Sequence, residues 1–434
     1  MLSYFKDIKI CIIGLGYVGL PLAIEFAKKY KVIGYDISSE RISQLMNFED
    51  ITLEIASEEI SKVLVNSTNS FKNNIGFYPT TNLQDISDSN IYIVTVPTPV
   101  DSSNKPDLSF LNSANITIGK VIEKGNIVIY ESTFYPGCTE EECIPIIEKI
   151  SGLKYNLDFF AGYSPERINP GDKINTLSKI KKITSGSTPY IADIVNNLYA
   201  SIITADTYKT SSIIVAESAK IIENAQRDIN IAFVNELAKI FNLLEIDTTE
   251  VLEAAGTKWN FIPFKPGLVG GHCIGVDSYY LAQKALKIGY HPEIILAGRK
   301  LNDSMPHYIA SEVIKLMAKK NITINNSKVL ILGITFKENC NDIRNSKIID
   351  IVYQLNEYGI SVWVYDPIAI SENVEKEFGL KNINTIPDQV YDGIILAVSH
   401  NIFKKFNLKK YLKKNSFIYD CKSFFDKEMV DKRL

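Results

Sequence analysis

The chain has 434 residues, which is enough for two or three domains, and 46% of them are hydrophobic while 22% are charged. This composition excludes a largely disordered protein. The 47 basic and 50 acidic residues give a net charge of −3, so nothing draws the chain generally to nucleic acid or to an anionic membrane.

The N-terminal apolar stretch from Ile8 to Leu22 is interrupted by three glycines and lacks the cleavage site of a signal peptide. No uncharged apolar run of 18 residues occurs in the sequence. The six cysteines are scattered without a CxxC pair, which argues against a disulfide framework and against a zinc cluster. We therefore expect a cytoplasmic protein with no membrane span, no nucleic-acid partner and no metal.

The first half of the chain has the pattern of a parallel α/β domain. A compact apolar run at 8–13 and a second run at 31–37 predict two strands on either side of a glycine turn and a helix. Further buried strands are predicted at 90–96 and 126–130, because near-continuous apolar runs are typical of a sheet covered on both faces. We expect this Rossmann-type domain to span residues 1–205.

The glycine turn after the first predicted strand has the GxGxxG spacing of a dinucleotide-binding site. Gly14 would allow the tight turn, Gly16 would let the backbone approach a pyrophosphate, and Gly19 would permit close packing of helix and strand. Asp36 ends the next strand, 22 residues after Gly14. Its carboxylate would accept hydrogen bonds from both ribose hydroxyls and repel a 2′-phosphate, which favours NAD over NADP. A turn with a purely structural role is the alternative.

A stiff turn at 164–171, SPERINPG, places a carboxylate, a guanidinium and an amide close together, in Glu166, Arg167 and Asn169. Beyond it, the stretch from Ser211 to Leu244 contains neither proline nor glycine and is apolar almost all round. This pattern predicts a long helix buried on most faces, typical of a helix that packs against another domain or subunit.

Lys220 and Asn224 lie four positions apart on the long helix and therefore share one of its faces. Among apolar neighbours they would be good donors to an oxyanion, although such positions on a helix are more often simply exposed. The helix belongs to a predicted central domain spanning 206–322.

The central domain also carries an irregular segment at 256–277 that holds five glycines and two prolines. A long structured loop is usually functional. Cys273 suits covalent chemistry at a carbonyl, and Asp277 could hold or activate a water. A buried inert thiol is the alternative. Metal binding by His272 and Cys273 is not expected, because adjacent side chains point apart.

The chain ends in a second Rossmann-like domain, predicted for 323–434, whose glycine turn is degenerate. Lys337 and Arg344 follow its first strand and could meet phosphates. The predicted fold class is therefore α/β, with two Rossmann-like doubly wound domains joined by a central helical domain that contains a long helix.

Taken in order, several blocks of the sequence resemble the UDP-glucose/GDP-mannose dehydrogenase family over nearly the whole chain. These blocks are GLGYVG, YESTFYPG, YSPERINPG, the helix with Lys220 and Asn224, PGLVGGHCIGVD and TFKENCNDIR. Within the family, the NPG after SPERI and the segment around Cys273 are most similar to bacterial members that oxidise UDP-N-acetylglucosamine or UDP-N-acetylgalactosamine. Those members serve surface-polysaccharide synthesis, as in capsule or O-antigen.

This resemblance implies a four-electron oxidation of the C6 hydroxymethyl of a UDP-sugar to a carboxylate, with two NAD⁺. The thiolate of Cys273 would trap the aldehyde as a thiohemiacetal, and a second hydride transfer would give a thioester. Lys220 and Asn224 would stabilise the oxygen anions. Glu166 would act as acid and base in thioester hydrolysis, while Thr133 and Asp277 orient water.

The resemblance also implies sets of binding residues. Those matching the NAD segment of the family are Gly14, Leu15, Gly16, Tyr17, Val18, Gly19, Asp36, Arg41, Pro97, Thr98, Thr133 and Arg344. Those matching the UDP-sugar site are Arg167, Asn169, Lys220, Asn224, Phe264, Gly267, Gly270, Phe336 and Lys337. The family usually forms dimers through the long helix, so a homodimer or higher homo-oligomer is expected, with Lys258 as the candidate for a basic residue that enters the neighbour's site.

One departure bears on the sugar: Val276 stands where members acting on UDP-glucose typically carry a lysine. UDP-N-acetylmannosamine or UDP-glucose on the same machinery is the rival hypothesis. A two-electron dehydrogenase of the same fold, which needs no catalytic thiol, is a second alternative. A non-enzymatic NAD-binding protein is a third alternative. Such a protein would lack one of the catalytic sequence blocks, and this sequence contains all of them.

Overall fold

The computed structural model describes residues 7–71, 75–101, 104–168, 176–271 and 274–434. The chain forms two compact units. The first runs to Glu223 and includes Tyr279–Ile288, and the second consists of Asn224–Ser278 and Gly289–Leu434.

The first unit is built on one eight-stranded sheet. Its strands are β1 (Lys9–Ile13), β2 (Lys31–Tyr35), β3 (Gly76–Thr80), β4 (Ile91–Val94), β5 (Ile127–Tyr130), β6 (Phe160–Tyr163), β7 (Lys182–Gly186) and β8 (Thr207–Lys209). Their order is β3-β2-β1-β4-β5-β6-β7-β8, and every neighbouring pair is parallel except β6 and β7. The point at which the order reverses lies between β1 and β4, which is where doubly wound sheets bind their ligands.

The helices are α1 (Gly19–Ala27), α2 (Ser39–Met46), α3 (Ser57–Val63), α4 (Ser109–Gly119), α5 (Ile144–Ser151), α6 (Pro189–Ala200), α7 (Ile213–Leu243), α8 (Thr248–Gly256), α9 (Ile274–Lys287), α10 (Glu293–Lys319), α11 (Ile348–Glu357) and α12 (Ser371–Phe378). Local sequence explains where several of them begin. Ser38 and Thr188 accept backbone N–H groups of the first turns of α2 and α6, as N-cap residues do. Pro189 then occupies the first helical position of α6, where its missing N–H costs nothing.

The second unit contains a five-stranded parallel sheet in the order β10-β9-β11-β12-β13. The strands are β9 (Lys328–Leu332), β10 (Ser361–Tyr365), β11 (Tyr391–Leu396), β12 (Leu412–Asp420) and β13 (Lys432–Arg433). The order reverses between β9 and β11, so the loops after these strands are the ones placed to meet a ligand.

A buried ion pair joins α10 to the second half of α7. Arg299 donates to Asp228 at 2.7 Å, and Asn302 donates to the same carboxylate at 2.7 Å. All three side chains are buried. Because a buried charge left without its partner is costly, this cluster fixes how the two helices pack.

The predicted fold class is confirmed, with two parallel-sheet domains and a long helix at Ile213–Leu243 where the sequence predicts one. The predicted strands at 8–13, 31–37, 90–96 and 126–130 correspond to β1, β2, β4 and β5. None of the helices in the described part of the chain is both long and apolar enough to cross a membrane.

Candidate functional site

The glycine turn between β1 and α1 is shaped by three glycines with different surroundings. Gly14 has a φ of +93°, in the left-handed region that favours glycine. A Cβ on Gly19 would lie 1.8 Å from the carbonyl oxygen of Gly14. A Cβ on Gly16 would meet no protein atom within 4 Å. The turn is thus closed on its inner side and open at Gly16, as a backbone that accepts a pyrophosphate must be.

Asp36 lies just after β2, and its carboxylate is tied to the turn. Oδ2 accepts the backbone N–H of Leu15 at 2.8 Å, and Oδ1 accepts that of Ser38 at 2.9 Å. The side chain is half-buried, which leaves its remaining lone pairs accessible for hydroxyl donors.

A cavity of about 220 Å³ opens beside Asp36, at the carboxyl ends of β1, β2 and β4. Gly14, Asp36 and Pro97 line it together with apolar side chains that include Ile37 and Phe110. An apolar slot with one carboxylate at its rim fits the adenosine half of NAD. The sequence did not single out Ile37 or Phe110, because an apolar residue after a strand has no signature of its own.

Leu15 and Arg41 belong to the predicted NAD-binding set, but their side chains are buried beneath the glycine turn. The Leu15 side chain is fully buried, so only its backbone is available to a ligand. Arg41 is buried as well, and its Nε donates to the carbonyl oxygen of Leu15 at 2.9 Å. Its second contact is with Asp50, at 2.8 Å. Arg41 therefore supports the turn, whereas Tyr17 and Val18 are half-buried on it.

The predicted residues at the ends of β4 and β5 come together. Pro97 and Thr98 follow β4, Thr133 follows β5, and the Thr98 hydroxyl donates to the carbonyl oxygen of Thr133. Because the two strands are neighbours in a parallel sheet, their following segments meet at one edge.

Glu166 follows β6 and is held by three donors. Its Oε1 accepts the backbone N–H groups of Arg167 and Ile168, each at 2.6 Å, and its Oε2 accepts from Lys182 at 2.9 Å. Burial by itself would raise the pKa of Glu166, but the charge of Lys182 and these hydrogen bonds hold that pKa below its ordinary value. The Arg167 guanidinium pairs with Glu223 at 2.9 Å. Asn169 lies outside the described residues.

Lys220 lies in the part of α7 that belongs to the first unit, and its side chain is buried. One turn earlier, Glu217 fixes this part of the helix to the segment after β5. Its carboxylate accepts from the backbone N–H of Gly137 at 2.5 Å and from that of Thr139 at 3.0 Å. Burial raises the pKa of Glu217. The sequence gives no signal for this contact, because its partners are about eighty positions away.

In the second unit, two predicted catalytic residues are in direct contact. Asn224 Nδ2 donates to Asp277 Oδ2 at 2.6 Å, and both side chains are buried. Asp277 lies in the first turn of α9. The predicted nucleophile Cys273 and its neighbour His272 lie outside the described residues. Val276 is buried immediately beside Asp277.

The segment before α9 packs against the loop after β9. Asn235 on α7 accepts from the Gly267 N–H at 2.8 Å and donates to its carbonyl oxygen at 3.0 Å. Asn345 donates to the carbonyl oxygen of Gly271 at 2.9 Å, and a Cβ on Gly270 would lie 2.7 Å from the Asn345 carbonyl oxygen. A Cβ on Gly271 would lie 2.9 Å from the Phe336 ring. The structure therefore brings the predicted residues Gly267, Gly270 and Phe336 into one region.

The cationic residues of the loop after β9 are half-buried. Lys337 Nζ lies 5.5 Å from the centroid of the Phe336 ring, and Arg344 pairs with Asp342 at 2.6 Å. In the same unit, His400 is completely buried between Asp366 and the backbone N–H of Asn339.

Phe264 lines a second cavity, of about 250 Å³, in the second unit. Prolines and Leu252 form its apolar part, Lys265 and Lys422 add positive charge, and Glu253 adds a carboxylate. An apolar slot lined by two lysines suits a nucleoside that carries phosphates. The sequence missed Lys422, because a lone lysine after a C-terminal strand carries no motif. Lys258 is exposed at the end of α8.

Within the described ranges, no group of three or more His, Cys, Asp or Glu side chains is arranged to hold a metal ion. The linings of the two cavities combine carboxylates and apolar side chains, with lysines in the cavity at Phe264.

Family models match three consecutive parts of the chain. They describe the NAD binding domain of the UDP-glucose/GDP-mannose dehydrogenase family at residues 8–203, its central domain at 214–304 and its UDP binding domain at 330–427.

Individual relatives match over nearly the whole length. A UDP-N-acetyl-D-glucosamine 6-dehydrogenase of Pseudomonas aeruginosa is 56% identical over 99% of this chain and 100% of its own. A protein of the same name from Salmonella typhi is 52% identical over 99% of each chain. Among solved structures, a UDP-N-acetylmannosamine dehydrogenase of Pyrococcus horikoshii aligns with a TM-score of 0.87 at 30% identity, covering 98% of both chains.

Proposed function

Because the chain belongs to the UDP-glucose/GDP-mannose dehydrogenase family, we propose that it oxidises the C6 hydroxymethyl of a UDP-N-acetylhexosamine to the uronate, with NAD⁺ as oxidant. The observation that carries this proposal is the 56% identity, over the full length, to a UDP-N-acetyl-D-glucosamine 6-dehydrogenase. UDP-N-acetylglucosamine and UDP-N-acetylgalactosamine present the same C6 hydroxymethyl, so either is a candidate. The uronate would be a building block for bacterial surface polysaccharide.

In this proposal the first unit binds the cofactor. The open backbone at Gly16 would receive the pyrophosphate, and Asp36 would accept from the ribose hydroxyls at the rim of the adenosine cavity. NAD⁺ bound there supplies a hydride acceptor, and two equivalents are needed for four electrons. The half-exposed carboxylate of Asp36 supports NAD over NADP, because it would repel a 2′-phosphate. Arg344 remains the proposed contact from the C-terminal domain.

The covalent step belongs to Cys273. Its thiolate adds to the aldehyde carbon to give a thiohemiacetal, and oxidation of that adduct gives a thioester. Lys220 and Asn224 stabilise the oxygen anions, and the hydrogen bond from Asn224 to Asp277 fixes the Asn224 amide. Because C6 of the sugar stays bonded to the sulfur of Cys273, a single site can complete both oxidations without releasing an aldehyde.

Hydrolysis of the thioester needs a base that is ionised and a water that is oriented. Glu166 fits the first requirement, because three donors stabilise its carboxylate. In this proposal Glu166 acts as the general base that accepts a proton from the attacking water, and Thr133 and Asp277 orient that water.

The sugar nucleotide would lie along the second unit. The cavity at Phe264 would take the uridine, with Lys422 near its phosphates, and Gly267, Gly270, Phe336 and Lys337 would line the remainder. Arg167 and Asn169 complete the proposed set. The buried Val276 supports an acetamido sugar over glucose, since members acting on UDP-glucose typically carry a lysine at this position. We retain the division into domains at 1–205, 206–322 and 323–434.

The proposal includes a homodimer or higher homo-oligomer. Apolar side chains on the second half of α7 are exposed, among them Phe233, Ile240 and Leu243, and Trp259 beyond α8 is 92% exposed. Monomeric proteins rarely leave such a set uncovered. We further place the reaction in the cytoplasm, where a reactive thiol stays reduced.

The test is the number of NADH formed per sugar consumed, measured with purified protein and a panel of UDP-sugars. We expect two NADH for each UDP-N-acetylglucosamine or UDP-N-acetylgalactosamine, and little turnover of UDP-glucose. One NADH per sugar would refute the four-electron reaction. A preference for UDP-N-acetylmannosamine would support the four-electron oxidation but would show that the proposed substrate is wrong.

The covalent step is tested separately by Cys273→Ser. Serine lacks the nucleophilicity of a thiolate, so we expect no uronate from this variant, while NAD⁺ still binds with unchanged affinity in calorimetry. Uronate formation at the wild-type rate would exclude a covalent mechanism at this position.

A further inference from the structure

A buried lysine joins two buried carboxylates in the first unit. Lys182, the first residue of β7, donates to Glu131 at 2.7 Å and to Glu166 at 2.9 Å. All three side chains are at least nine-tenths buried. Glu131 follows β5 and Glu166 follows β6, so the cluster lies across the carboxyl ends of neighbouring strands. One cation thus serves two acids, and water does not compete for it.

The two carboxylates differ in what else they contact. Glu166 accepts from the backbone N–H groups of Arg167 and Ile168, which can only donate. Glu131 instead accepts from the hydroxyl of Tyr199 on α6. A hydroxyl can turn and become an acceptor, so Glu131 can take a proton and keep its hydrogen bond. A proton on Oε1 of Glu166 would displace one of the two backbone N–H donors, and a proton on Oε2 would lie beside the charge of Lys182.

Among the described residues of the first unit, the charged and titratable groups in contact within the cluster are Lys182, Glu131, Glu166 and Tyr199. Burial raises the pKa of Glu131 to about 7, against the opposing effect of Lys182. Burial would also raise the pKa of Glu166, but Lys182 and the backbone donors hold it low. The shifts agree in direction with the hydrogen-bond pattern.

We propose that Lys182 is a positioning residue that keeps Glu166 ionised until it accepts the proton of the attacking water, and that Glu131 holds the first proton that the cluster takes up from solvent as the pH falls. This inference rests on the proposed role of Glu166. Among the described residues, three donors reach the Glu166 carboxylate, two on Oε1 and one on Oε2. With respect to these donors, the second lone pair of Oε2 is the one placed to accept the proton of the attacking water.

The proposal predicts different pH profiles for two neighbouring substitutions. Lys182→Met leaves Glu166 buried without its cation, which moves the acid limb of the hydrolysis rate upward by about one pH unit or more. Glu131→Gln leaves the acid limb in place, because Glu131 already holds a proton at the pH at which Glu166 takes one up. Loss of structure alone would lower the rate at every pH without moving the acid limb of one variant only.

The measurement is the decay of the Cys273 acyl-enzyme in a single turnover, followed between about pH 3.5 and pH 9 by rapid quench and intact-protein mass. Lys181→Met is the matched control, because it removes the neighbouring but exposed lysine, and no shift is expected. An unmoved or lowered acid limb in Lys182→Met overturns the proposal. If Lys182→Met does not fold, Glu131→Gln decides alone, and a lowered acid limb overturns the proposal, because Glu131 would then still be charged when Glu166 takes up a proton.

Glu166→Gln separates this inference from the function on which it rests. If Glu166 is the base, this variant accumulates the acyl-enzyme at every pH. Accumulation without the upward shift in Lys182→Met would refute only the role of Lys182. Hydrolysis at the wild-type rate would remove Glu166 from the mechanism and the present inference with it.

Discussion

In the turn between β1 and α1, substitution by alanine distinguishes the role of Gly16 from that of Gly19. At Gly19 an added Cβ would lie 1.8 Å from the Gly14 carbonyl oxygen, so alanine there forces the helix away from the strand. At Gly16 an added Cβ meets no protein atom, and this residue is not among those with a positive φ. Alanine at Gly16 therefore affects only what approaches the turn from outside.

We expect Gly16→Ala to weaken NAD⁺ binding roughly tenfold or more, equivalent to about 1.4 kcal/mol, because the methyl group stands where the pyrophosphate would approach. Its melting temperature should stay within about 2 °C of the wild type, since no native contact changes. Calorimetric titration and thermal unfolding measure the two quantities. Gly19→Ala is the control and should lower the melting temperature. Unchanged NAD⁺ affinity in Gly16→Ala would place the pyrophosphate elsewhere.

Residues with a local signature could be found from the sequence. Gly16 and Asp36 occupy fixed places in a strand–turn–helix–strand pattern, and the turn and the carboxylate indeed meet. Glu217 and Lys182 have no such pattern. Glu217 contacts Gly137, 80 positions away, and Lys182 contacts Glu131 and Glu166, which are 51 and 16 positions away, and these residues become neighbours only when the sheet forms. Lys182 also begins a short strand, where nothing marks a lysine as buried.

The loop after β9 is supported by a carboxylate that receives four backbone donors. Asp366 follows β10, and its Oδ2 accepts from Ile334 at 2.7 Å and from Thr335 at 3.1 Å. Its Oδ1 accepts from two residues of its own segment. His400 Nδ1 accepts the Asn339 N–H, so the ring proton lies on Nε2, which donates to Asp366 at 3.0 Å. The element that carries Phe336 and Lys337 thus depends on one buried anion.

Burial alone would raise the pKa of Asp366, but His400 and the backbone donors lower it to about 2. A lowered pKa stabilises the folded state above the unfolded value near 4, and this stabilisation is lost as the pH falls toward 2. From the shift it amounts to about 2 kcal/mol, with roughly half lost between pH 6 and pH 3. We therefore expect the destabilisation caused by Asp366→Asn to shrink by about 1 kcal/mol over that range.

Urea unfolding followed by tryptophan fluorescence measures this difference, because both tryptophans, Trp259 and Trp363, belong to the second unit. Comparing wild type and variant at each pH removes the contribution of the other carboxylates. A difference that is independent of pH would contradict a lowered pKa for Asp366.

Strands could be predicted best where a single pattern of apolar residues extends over the whole segment. The apolar runs of β1, β4 and β5 are buried throughout, as in a parallel sheet covered on both faces. The strand β7 was not predicted, because its sequence KITSG mixes polar and apolar residues, and it becomes buried only between β6 and β8. Periodicity describes a segment in isolation and does not describe what will cover it.

For the whole molecule, the order of the motifs carried more information than any single motif. A GxGxxG turn or a lone cysteine is compatible with many proteins, whereas six blocks in one order resembled a single family, and the family matches confirm that resemblance. They also confirm the class of enzyme and its cofactor, NAD. The oligomeric state could not be predicted from motifs in the same way, because it depends on exposed side chains that contact another subunit.

The exposed apolar face of α7 and the exposed Lys258 make a specific prediction about assembly. If Lys258 acts in the site of a neighbouring subunit, co-expression of Cys273→Ser with Lys258→Ala should restore activity that neither has alone. In a mixed dimer, one site combines an intact Cys273 from one subunit with Lys258 from the other. Random pairing of a dimer then predicts roughly a quarter of the wild-type activity.

The control is Phe233→Asp, introduced into both co-expressed chains. Phe233 is exposed on α7, and a charge at this position should prevent helices from pairing across an apolar face. The restored activity should then disappear, and sedimentation should report a smaller particle. Activity that does not exceed the sum of the two single variants would place Lys258 in its own subunit's site or outside the site. In that case the exposed face of α7 would still bear on assembly but not on catalysis.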